Sequence, residues 1–161
     1  AGCRDADGTL AGRREGTDLA LAPGATVSGA ESALESAMLT ALRADAAVKA
    51  LLGDPVRVAE VDAPLPAYPY LEISRHTSEP SGGVDAEASE HRIDLVVVSR
   101  DMGGRHAKEA LAIVRAALME TSLMMEGWRC VLLLPLFADA TRQRVGLWRA
   151  LLRMKAVMEV A

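Results

Sequence analysis

Apolar residues change their period several times along the chain, and each change marks an element. Beyond Ser28 they recur three and four apart, at Leu34, Met38, Ala41 and Leu42, which places them on one stripe of an α-helix. Ser28 with Glu31 three positions later reads as a capping box for its start, because the two side chains can satisfy amides that the first turn leaves unpaired. Asp45 offers a fresh cap for a short turn through Val48, Leu51 and Leu52, closed by Gly53 with Pro55 beyond. Val56 to Glu60 alternates apolar and polar side chains and predicts a short strand, after which Pro64, Pro66 and Pro69 break the connection. Tyr70, Leu71 and Ile73, on to Thr77, suit a second strand. His91 to Ser99 predicts a third, with Ile93, Leu95 and Val97 on one face and Asp94, Val96 and Val98 on the other. Between these two, Glu79 to Ser89 contains Pro80, Gly82 and Gly83 and reads as the long polar tip of a hairpin.

Gly103 and Gly104 interrupt the pattern. Ala107, Ala110, Leu111, Val114, Ala117 and Leu118 then predict a second main helix that fades over Thr121 to Gly127, and Trp128 to Phe137 reads as a strand. The last segment, 145–160, admits two readings. Its Leu, Met and Arg content favours a helix, whereas Trp148, Ala150, Leu152, Met154, Ala156 and Met158 alternate with Arg149, Arg153 and Lys155. The period of two accounts for the basic residues, so a strand is preferred. The order α-β-β-β-α-β-β predicts an α+β fold: a mixed, mostly antiparallel sheet of about five strands with two main helices on one face. Residues 1–27 show no periodic apolar face and are expected to form a disordered or loosely attached arm before a single domain at 28–161. A start at Ala1 with no Met is compatible with part of that arm being read from upstream of the natural start.

Composition narrows the function. A chain of 161 residues builds one core, and 50% hydrophobic with only 3% aromatic residues means a core of Ala, Leu, Val and Met. A net charge of -4 and a pI near 5.4 leave no basic excess to neutralise phosphates, which counts against DNA affinity. Cys3 and Cys130 are unsuited to pairing, and Cys130 in its apolar run reads as a small buried hydrophobe of a reducing compartment. No run of about 20 apolar residues and no secretion signal stand out, so the expected location is cytoplasmic.

Candidate chemistry is sparse. Gly103-Gly104-Arg105-His106 could offer helix-start amides to an anion, but lacks a nucleotide-binding pattern and reads as a turn with Arg105 solvated. His76, His91 and His106 would need Asp94 or Glu79 to complete a metal site; surface or interface histidines are preferred, with His76 and His91 able to meet across the hairpin. Neither Ser99 nor Cys130 lies in a glycine-flanked elbow. Asp85, Glu87 and Glu90, on a loop, lack the rigid support that acid–base work needs. No enzyme, cofactor or metal is expected. Arg142, Arg144, Arg149, Arg153 and Lys155 form the one basic concentration, the last three sharing a strand face.

Five stretches taken in order carry a family resemblance over roughly residues 30–160: Ala41 to Asp45 leading to Leu51-Leu52-Gly53; Val56-Arg57-Val58; Pro66 to Leu71; Ile93 to Arg100; and Gly103-Gly104-Arg105 entering Ala107 to Ala110. Together they resemble the tail terminator, or tail completion, proteins of long-tailed phages and gene transfer agents. Val98 stands where members often carry an aromatic residue, and Val145 to Val160 is poorer in Phe and His than their last strand. The resemblance implies a homohexameric ring that sits on the last ring of the tail tube protein, stops its growth and joins a head-tail connector protein, with DNA only in transit through the lumen. It implies a tube-docking role for Glu79, Ser81, Asp85, Glu87 and Glu90, and an intersubunit or lumen role for Arg149, Arg153 and Lys155, intersubunit pairing being preferred. A head completion protein of the neck is the nearest alternative, and a small-ligand-binding α+β domain a more distant one.

Overall fold

The computed structural model describes residues 27–83 and 87–161. Its elements are α1 (Val27–Ala44), α2 (Ala46–Leu52), β1 (Tyr70–Pro80), β2 (Ala88–Ser99), α3 (Arg105–Glu120), β3 (Trp128–Arg144) and β4 (Leu147–Val160). All four strands are antiparallel to their neighbours in the order β1-β2-β4-β3, and the helices cover one face. The expected arm falls almost wholly on residues outside those described, as do Cys3 and the tip residue Asp85.

Every apolar position assigned to α1 is buried: Leu34, Met38, Ala41 and Leu42. The helix is described from Val27, so Ser28 is already helical and not ahead of the helix, and Glu31 takes a hydrogen bond from the Ser78 hydroxyl. Asp45 caps α2 as expected, its Oδ1 accepting from the Val48 amide at 2.9 Å. The α1 and α3 stripes meet Leu71, Ile93, Leu95, Val97 and the inward row of β4 in one core. That row is Ala150, Leu152, Met154, Ala156 and Met158, each at most 1% exposed, so the final segment is a strand whose alternation faces the helices.

Two expectations need correction. Val56 to Glu60 is no strand of the sheet, which among the described residues has four strands and not about five. Only Val58 bridges Leu71, in parallel, through Leu71 N–H to Arg57 O at 2.9 Å and Ala59 N–H to Leu71 O at 2.7 Å. Asp62, with φ of 66°, and the prolines that follow turn the chain away before a ladder can grow. The segment instead lies over the open face of the sheet at one end, where Ala59 and Tyr68 pack on a small second cluster of Tyr70, Val96 and Val98. The hairpin tip is also shorter than expected. β1 and β2 pair as far as Pro80 with Ser89, and the amides of Ser81 and Gly82 both bond to Ala88 O.

Candidate functional site

Alternate residues of the strands build the sheet face opposite the helices, and there the charged positions fall into cross-strand pairs. Register sets Asp94 of β2 opposite Arg153 of β4, and the guanidinium donates two parallel bonds, Nε to Oδ1 and Nη2 to Oδ2, both 2.7 Å. Arg149 reaches over β2 to Glu72 of β1 at 2.8 Å. Lys155 Nζ lies 2.7 Å from Glu90 Oε2, while Arg92 Nη2 donates to Glu90 Oε1 at 2.9 Å. The Arg153 guanidinium holds the Asp94 carboxyl below the usual aspartate range, and the Lys155 ammonium does the same for Glu90. Arg149, Arg153 and Lys155 thus share one face, as their spacing indicated, and all three find carboxylates on their own chain. Glu72 was the partner not singled out from sequence; only the bulged β1–β2 register brings it within reach of β4.

The hairpin residues do not form one group. Glu79 and Glu90 are Cα partners in the ladder, with Arg92 3.9 Å from Glu79 and bonded to Glu90. Glu90 is therefore a half-buried member of the charge pairs on the sheet face and not a loop residue. Ser81 and Glu87 are exposed on the connection, as is Glu79 at its base.

At the opposite side of the sheet lies an edge formed by the strand that the sequence placed at Trp128 to Phe137 and that runs on to Arg144. Among the described residues β3 is hydrogen-bonded to β4 alone, and over 130–138 it is apolar on both faces: Val131, Leu132, Leu136 and Phe137 are 40–53% exposed. Its ladder slips between Cys130 and Leu132, between Pro135 and Phe137 and between Arg142 and Arg144. A continuous apolar run normally marks a strand buried on both sides, so an exposed one at an edge stands out on this surface.

The helix-start turn is occupied from within. Asp101 accepts the Gly103 amide at 3.1 Å on Oδ1 and the His106 amide at 3.0 Å on Oδ2, which leaves those donors no anion to seek. Arg105 is solvated and pairs with Glu109 one turn on at 2.8 Å. Gly104 adopts a φ of 70° directly beneath the Trp148 ring. The preference for surface or interface histidines is overturned for His91, which is fully buried, and His76 is close to it: their rings meet at 2.9 Å beneath α1. The reason is that the bulge at Ser74 turns His76 onto the helix-facing side of β1. Cys130 is partly buried against the core, and burial pushes its thiol up. A hollow of about 720 Å³ lies between α1 and residues 121–126, walled by Ser32, Ala33, Ser36, Ala37 and Thr40.

The fold has counterparts in known proteins. Among solved structures, a chain from "Virion of native gene transfer agent (GTA) particle" is similar at 28% identity, over 80% of this chain and 96% of that one, with a TM-score of 0.72. No curated protein matches. The family model of tail completion protein gp17 matches residues 36–159, from the second half of α1 to the end of β4. With its helix-backed antiparallel sheet and a match across most of its length, the chain belongs to the tail completion protein gp17 family, a family of structural tail proteins.

Proposed function

We propose that this chain is a tail terminator: copies of it close into a ring, six by resemblance, that caps the tail tube, stops its elongation and joins the tail to the head connector. It works in the particle by shape and not by catalysis. The observation that carries the reading is the long β3, apolar over 130–138 and paired on one side only among the described residues, at one border of the sheet, with β1, bridged there only at Leu71 by Val58, at the other. Such borders favour association through copies of the same chain, and a closed rotational arrangement would leave neither unsatisfied.

The charge-paired sheet face supports a role beside passing DNA. Unpaired arginines there would grip phosphates, whereas pairs with Glu72, Asp94 and Glu90 weaken that attraction. Arg149, Arg153 and Lys155 accordingly line the lumen or the contact between subunits in this reading. Glu79, Ser81 and Glu87, with Asp85 between them in sequence, are the docking surface for the tube. Particles assembled without the protein test the whole reading under the electron microscope. Tails of uncontrolled length, or unjoined to heads, are expected; tails of normal length on joined heads would end it. Tails of normal length lacking heads would favour a head completion role.

A further inference from the structure

Beneath α1, four polar side chains form one hydrogen-bonded line. Glu35 Oε1 lies 2.7 Å from His76 Nδ1, His76 Nε2 lies 2.9 Å from His91 Nδ1, and His91 Nε2 lies 2.8 Å from Ser89 Oγ. His91 is fully buried and Ser89 is 2% exposed. Among the described residues, the carboxylates beside the rings come from α1, as Glu31 and Glu35. Ser78 on β1 donates to Glu31. β4 presents Met154, Ala156 and Met158, α3 presents its apolar stripe, and Cys130 of β3 stands across from Met158.

Counting protons shows what this line tolerates. With two imidazole protons, His76 donates from Nδ1 to Glu35, His91 donates from Nδ1 to His76, and Ser89 donates to His91 Nε2. With three, His76 donates from both nitrogens, to Glu35 and to His91 Nδ1, and His91 donates from Nε2 to Ser89. Every bond is made in both states. A fourth proton sets N–H against N–H at 2.9 Å, between two cations in a site with little water.

We propose that the Glu35–His76–His91–Ser89 line is a proton-counting latch, which accepts one added proton intact and on the second releases α1 from β1 and β2. Burial, and next the neighbouring His76, push the His91 pKa down, in keeping with this order. A neutral form favoured in the folded state contributes stability above the ordinary histidine value of 6.5 that is lost as pH falls below it. The latch does not depend on ring formation and can be tested on the free chain.

The test follows imidazole nitrogen shifts and amide exchange of the full chain by NMR, from about pH 7.5 to about 4.5. Exchange of the α1 amides, corrected for the intrinsic pH dependence of exchange, should accelerate by up to about tenfold per pH unit once the second proton binds, ahead of the β2 and β4 amides. His91→Gln should keep α1 protected over the same range. Undiminished α1 protection when both rings are charged would overturn the latch, and so would release at the same pH in His91→Gln. Should that variant not fold, the wild-type order of ring protonation and α1 release decides alone: release that precedes the second proton is fatal to the proposal.

Discussion

Replacing Gly104 by Ala tests how tightly the α3 start is bound to the last strand. A Cβ there would lie 2.5 Å from Cδ2 of Trp148, with the next ring atoms at 2.6 and 2.7 Å, and the backbone φ is 70°. The left-handed backbone costs about 1–2 kcal/mol for a residue with a Cβ. Forcing a methyl into a packed aromatic ring adds about 1–3 kcal/mol, since an indole cannot step aside as a flexible side chain would. The sum is about 2–5 kcal/mol, which for a domain of this size lowers Tm by at least about 4 °C. Gly127→Ala is the internal control, because Gly127 shares the positive φ, 75°, but has nothing within 4 Å of the added Cβ. Urea unfolding of both variants, followed by Trp fluorescence, separates the two contributions. Equal destabilisation of Gly104→Ala and Gly127→Ala would refute the steric part. It would also return Gly103-Gly104 to consideration as something other than a packing device.

Asp45→Ala should cost about 1 kcal/mol through loss of the Val48 amide bond, seen as a fall in Tm and faster amide exchange in α2. Asp94→Asn should flatten the acid limb of the stability curve: Arg153 lowers the Asp94 pKa, so stability held above the ordinary value of 3.8 is lost as pH falls through the folded value, and urea unfolding across that range reads the slope. Phe137→Glu, at a side chain 53% exposed, should change the stability of the isolated chain by no more than about 0.5 kcal/mol. The same variant should abolish incorporation into particles, scored by immunoblot of purified particles; normal incorporation would remove β3 from the proposed interface.

Much of the fold is legible because burial enforces periodicity. Met154 and Met158 alternate with Arg153 and Lys155 since one side of β4 meets helices and the other meets carboxylates, so period two survives a composition suited to a helix. Val58 misled for the complementary reason. Its alternation reflects packing over an edge, and a strand also needs neighbours willing to extend the ladder, which the prolines and Asp62 deny. The charge pairs were half legible: the spacing aligned Arg149, Arg153 and Lys155, but which acids face them depends on register, and the bulge at Ser74 cannot be read from local pattern. That same bulge carried His76 to the interior. Phe137 was indistinguishable from a core residue because an apolar edge strand is written in the same alphabet as a core.

The pairing of Arg149, Arg153 and Lys155 with acids of adjacent strands also governs what the sheet face does at a distance. Opposite charges held within 3 Å of each other cancel beyond the contact layer, and physiological salt damps the remainder over about 8 Å. A charged object near this face would meet a weaker field than its count of arginines and lysines suggests, and contour and fit would then weigh more in what it accepts.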